Sequence, residues 1–156
     1  MKLFPQNHYT IRLQKNDSSA ISDLQKQTLS NEQFVSNWKN QTFIGTVKDN
    51  TFNLVLSKKL YGSFVVFSGN VNDGICTLNI KTSKKIQIIF YFSLIFPVLG
   101  FIVAISKNGI ENITNLVIPT IMIPFIFRFI FIELSFKIIS RNGLKKFKNI
   151  LNTKKY

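Results

Sequence analysis

The chain has 156 residues, a formal net charge of +13 and 46% hydrophobic residues, which bounds it to one small domain plus one further segment. Its single cysteine, Cys76, excludes an intrachain disulfide framework and asks for no oxidising compartment. Position matters more than total charge: residues 1–85 carry 11 Lys/Arg against 5 Asp/Glu, residues 137–156 carry 7 Lys/Arg and no acid, and residues 86–139 are dominated by Ile, Phe, Leu and Val.

The start, Met1 to Leu13, lacks a long apolar run, so no cleavable signal peptide is expected. His8 to Leu13 alternates, putting Tyr9, Ile11 and Leu13 on one face of a strand. Asn16-Asp17-Ser18-Ser19 is a helix-start cluster ahead of Ile21, Leu24 and Leu29, and the spacing predicts a short helix over 19–31 with a thin apolar face. Phe43, Gly45 and Val47 alternate, as do Phe52, Leu54 and Leu56, with Asp49-Asn50 between them: a β-hairpin. A second strand pair covers 63–71 and 75–82 around the turn Asn72-Asp73-Gly74. In its last strand Cys76, Leu78 and Ile80 share one face, so Cys76 reads as a small core residue. The order predicts an α+β fold, an antiparallel sheet with one helix on a face, over residues 1–85.

At Lys84-Lys85 the character changes. Ile86 to Ser106 is a run of 21 residues without a charge, and at about 1.5 Å per residue it covers roughly 30 Å of hydrocarbon. A short polar turn over 107–112 follows, then a second apolar run over about 113–132 that holds Pro119, Pro124 and Arg128. The two runs predict a transmembrane helical hairpin within residues 86–135, with the second helix bent or partly unwound at its prolines. In the tail, 136–156, Leu144, Phe147 and Leu151 share a face and lysines occupy the rest, as in a basic helix lying among lipid headgroups; Asn142-Gly143 is expected to break it from the crossing helix. Lys and Arg cluster on both outer flanks and not in the turn. The positive-inside rule therefore puts both termini in the cytoplasm of a multi-pass protein of the bacterial inner (plasma) membrane.

Anionic lipid headgroups are the expected partners of Lys84, Lys85, Arg128, Lys137, Arg141, Lys145, Lys146 and Lys148. Arg128 falls about one turn from the cytoplasmic end of its crossing, where its apolar stem stays in lipid and its head snorkels to phosphate. Glu133 precedes Lys137 by four residues, the favourable order for a helix ion pair, whereas five residues separate Arg128 from Glu133 and put them off one α-helical face. A basic tail also suits nucleic acid, but directly after a crossing lipid is the better partner, and no nucleic acid is expected. His8 is the only histidine, the acids are scattered singly, and no phosphate loop, dinucleotide glycine pattern or nucleophile elbow occurs, so no catalytic, cofactor or metal site is expected and the chain does not read as an enzyme. Trp38 and Tyr61 fall in predicted loops, as core or membrane anchors.

Phe43-x-Gly45-x-Val47, Phe52-x-Leu54, Phe64-x-Val66 and Gly69-x-Val71, with Glu133 ahead of a basic tail, resemble an uncharacterised group of short bacterial membrane proteins. The resemblance implies a soluble α+β N-terminal part and a pair of membrane helices, and it implies no catalytic residue. The expectation is a membrane-tethered cytoplasmic domain with a binding or assembly role, holding a protein partner or small ligand at the membrane, with Phe-rich crossings that offer packing to further copies of the chain or to another membrane subunit. The alternatives are a pore-forming or lysis-type protein and, behind it, a membrane-bound enzyme.

Overall fold

The structure is a computed structural model that describes residues 3–30, 41–58, 61–108 and 114–151. The chain divides into two compact units, residues 1–83 with 136–156, and residues 84–135.

In the first unit, six strands, β1 (Gln6–Arg12), β2 (Thr28–Ser30), β3 (Phe43–Lys48), β4 (Thr51–Leu56), β5 (Val65–Asn72) and β6 (Ile75–Thr82), form one sheet in the order β1-β6-β5-β4-β3-β2. The two expected hairpins are present. Asp73 and Gly74 both take positive φ, 52° and 72°, and two successive left-handed residues give a turn whose twist matches that of the strands. The Gly74 N–H donates to the Asp17 carboxylate at 3.0 Å, tying this turn to the start of helix α1 (Asp17–Lys26).

The structure departs from the sequence expectation at two points. The first helix ends at Lys26 instead of reaching 31, and the sheet is mixed instead of antiparallel. The cause is local. Thr28 turns its hydroxyl back to the Leu24 carbonyl at 2.7 Å, and the N–H groups of Thr42 and Phe43 both donate to the Gln27 carbonyl, at 3.1 and 3.2 Å. The sheet thereby captures the backbone that would have extended the helix, and Leu29 pairs with Ile44 in a parallel edge strand.

One face of the sheet carries the core. Phe43, Leu54, Phe67, Leu78, Ile80 and Cys76 are fully buried on it, together with Ala20, Ile21 and Leu24 of α1. The rest of the cover comes from the C-terminal helix α4 (Glu133–Ile150), which buries Phe136, Ile139, Gly143 and Phe147. The Phe147 ring lies 6.2 Å from that of Phe43, edge-on, and 5.2 Å from that of Phe52. The tail therefore turns its apolar face to the sheet, where it was expected to lie among headgroups, and the folded domain takes in 136–151 as well as the strands. Nor does Asn142-Gly143 break the helix. A Cβ at position 143 would stand 2.1 Å from the Phe67 ring, so the glycine is what lets the helix approach the sheet.

In the second unit, helix α2 (Lys84–Asn108) continues through Pro97, and helix α3 (Thr114–Ile126) continues through Pro119 and Pro124. A π-helical turn, Phe127–Ile132, joins α3 to α4. Phe90 of α2 stacks on Phe127 at 6.3 Å and 4°.

If the Phe147 contact closes the core, Phe147→Ala lowers unfolding stability by about 3–5 kcal/mol, while the exposed Lys146→Ala stays within about 0.5 kcal/mol; thermal or denaturant unfolding of the two variants separates them. Burial pushes the Cys76 thiol from its ordinary 9.0 up to about 12. The folded chain then holds a proton that the unfolded chain releases above pH 9, so stability should fall as pH rises from about 9 towards 12. In Cys76→Ala that part of the loss should be absent, which parallel unfolding curves across the range check.

Candidate functional site

Three surfaces are chemically distinctive. The first is the apolar surface of the second unit. Among the described residues one helix, Lys84–Lys107, is long and apolar enough to cross a membrane, and little of it is covered within the protein. Ile88, Phe92, Phe96, Leu99, Ile102 and Val103 each expose about half or more of their surface, as do Ile118, Ile121, Ile123 and Phe125 on α3. Side chains this apolar and this exposed need a non-aqueous neighbour. A groove between α2 and α3 is lined by Ser93, Pro97, Gly100, Thr120 and Ile123. The turn expected at 107–112 lies outside the described residues beyond Asn108, and Trp38 lies outside them as well.

The second is the ion pair of Arg128 and Glu133. Arg128 is only 5% exposed. Its guanidinium donates to the Glu133 carboxylate at 3.2 Å and lies over the Phe129 ring at 5.2 Å. On an α-helix a five-residue separation would put the two groups off one face, which is why they were not expected to meet. The π turn adds a residue to that turn and closes i to i+5. Glu133 thus pairs with Arg128, not with the expected Lys137. The stacked rings of Phe127 and Phe131, at 5.1 Å, run along the same turn. Two ionisable residues five apart inside an aromatic run were the available signal, and the assumption of a 3.6-residue period hid it.

The third is the basic stripe of α4. Lys137, Arg141, Lys145 and Lys148 follow one another at spacings of four, four and three, so they share the helix side opposite the buried Phe147, and Lys146 is exposed beside them. Lys84 and Lys85 are exposed in the first turn of α2. Lysines there oppose the helix macrodipole, so helix stability gives no reason for their position.

The remaining singled-out residues scatter. His8 is exposed on β1, with only the Gln6 amide 3.4 Å from its Nε2. Tyr61 is 40% exposed beneath the Lys58 ammonium, 5.6 Å from its ring centre. Cys76 is buried in the sheet. The open face of the sheet is polar: Thr46, Asn53, Ser68, Asn79 and His8 stand in register across five strands. A shallow depression there, around His8, Thr10, Thr77 and Asn79, contains a buried Asn79 Oδ1 with no hydrogen-bond partner. Among the described residues no group of three or more His, Cys, Asp or Glu is placed to hold a metal ion.

No protein-family model matches the chain, and no curated protein or solved structure is significantly similar to it.

If the π turn couples Arg128 to Glu133, a double-mutant cycle with Arg128→Ala and Glu133→Ala in detergent gives an interaction energy of about 1 kcal/mol, within the range for contacting charged groups with one side exposed. Inserting one alanine between Ile130 and Phe131 should abolish that coupling; an unchanged coupling would mean the pair does not depend on the turn.

Proposed function

We propose that this protein is a membrane-tethered α+β domain with a binding or assembly role, held in the bacterial inner membrane by a hairpin of two crossings, the first in α2 and the second in α3 and the π turn, with both termini cytoplasmic. The observation that carries this is the chain path. The apolar segment starts at Lys84, directly after the last strand, and the chain rejoins the same folded unit at Phe136. A single folded unit occupies one side of a bilayer, so an excursion that leaves it and returns crosses an even number of times. α3 alone is 13 residues, but helical backbone continues from Thr114 through the π turn to Ile132, close to the roughly 20 residues a crossing needs.

Arg128 then lies near the cytoplasmic end of the second crossing. Its pairing with Glu133 lowers the cost of a guanidinium close to hydrocarbon. Lys84 and Lys85 at one end of the hairpin, and the Lys137, Arg141, Lys145 and Lys148 stripe with Lys146 at the other, meet anionic headgroups, each worth about 1 kcal/mol. The resemblance to short bacterial membrane proteins agrees with this plan. A pore-forming role is less well supported, since both ends of the hairpin are engaged by a folded domain that a pore does not require.

Full-length protein should stay with the membrane pellet through alkaline carbonate. A variant with 84–135 replaced by a short Gly/Ser linker should appear in the soluble fraction and unfold cooperatively. Full-length chain that washes off the membrane, or that is monodisperse without detergent, would overturn the tether.

A further inference from the structure

The sheet has two unlike edges. One is β2, three residues long. The other is β1, seven residues long, paired with β6 in an unbroken register. The hydrogen-bond ladder fixes which way its backbone points. The Leu13 N–H donates to Gly74 O at 2.8 Å and the Thr82 N–H donates to Pro5 O at 3.4 Å. Both belong to directly opposed pairs of the β1–β6 register, so the odd residues Asn7, Tyr9 and Ile11 turn their N–H and C=O groups towards β6. The even residues Gln6, His8, Thr10 and Arg12 turn theirs to the open edge. Gln6–Arg12 holds no proline, no lysine, no acid and no bulge, its one charge is Arg12 at the end of the strand, and among the described residues no strand pairs with its outer edge.

We propose that β1 is an assembly edge whose partner is β1 of a second copy of this chain, joined antiparallel about a twofold axis at Tyr9. The occupant follows from self-complementarity. Centring the axis on Tyr9 lets all seven residues pair, whereas moving it to His8 or Thr10 keeps five. Every even residue then meets an even residue, Gln6 with Arg12 and His8 with Thr10 of the second copy, and the four outward N–H and four outward C=O groups of each strand are all satisfied by about eight backbone hydrogen bonds. The only formal charge of the strand, Arg12, faces an amide and not a second arginine. Tyr9 faces Tyr9 and Asn7 faces Ile11, extending the core side of both sheets into one surface. This deepens the assembly role above and rests on the tether in one respect: two anchored copies share a plane, which raises their effective concentration for a short edge contact.

The test uses full-length protein in detergent and in lipid nanodiscs. Detergent-corrected light scattering should give twice the 18.0 kDa protomer mass. Thr10→Pro removes one outward N–H and no bond to β6, so it should give the protomer mass with a thermal transition that stays cooperative but no longer rises with protein concentration. Tyr9→Cys should form an interchain disulfide under mild oxidant at least tenfold faster than Thr10→Cys, because only the residue on the axis meets its own copy within bridging distance; the buried Cys76 stays silent. A wild-type protomer mass in nanodiscs, a Thr10→Pro dimer, or equal bridging at positions 9 and 10 would overturn the proposal. Carbonate extraction of the same samples reports on the tether separately, so loss of the dimer with retention in the pellet sinks the edge alone.

Discussion

Phe147 sits against Phe43 and Phe52, and Gly143 against Phe67. Those contacts join the last helix to a sheet whose final strand ended more than fifty residues earlier. Everything between must leave the sheet and come back to it. A segment whose exposed side chains are Ile, Phe, Leu and Val, fixed at both ends to one folded body, has few solutions in water. The proposed hairpin gives it one, a crossing of a bilayer and a return.

The segment that leads back to the sheet contains a buried charge, Arg128. A guanidinium only 5% exposed needs a fixed counter-charge. Glu133 supplies it, and the π turn is the backbone adjustment that brings the two together. The same turn joins α3, apolar all round, to α4, which is amphipathic and packs on the sheet. A change from an apolar to an amphipathic surface along one continuous helix thus coincides with its change of period and with its ion pair.

Much of this was legible in the residues. Alternation gave the strands of both hairpins, Asp73-Gly74 gave the turn, and a charge-free run gave α2, because each depends on local chemistry alone. What was not legible depends on distant partners. Leu29 has helical spacing from Ile21 and Leu24, yet the Gln27 carbonyl is taken by the N–H groups of Thr42 and Phe43, and a parallel edge strand results. The apolar stripe of Phe147 and Leu151 suits a lipid surface as well as it suits a sheet; only the glycine at 143, read as a helix breaker, marks the close approach. Arg128 and Glu133 were both visible as oddities, and the helical period assumed for them kept them apart.

In the proposed topology the strands and the last helix share one side of a membrane while the turn between α2 and α3 occupies the other. Single cysteines at Asp73, Asn108 and Lys146 in a Cys76→Ser background, labelled with a membrane-impermeant maleimide on intact and then on permeabilised cells, test this directly. Labelling of position 108 on intact cells, with 73 and 146 labelled only after permeabilisation, is the predicted result. Labelling of 73 and 146 from opposite sides, or of all three from the same side, would contradict it.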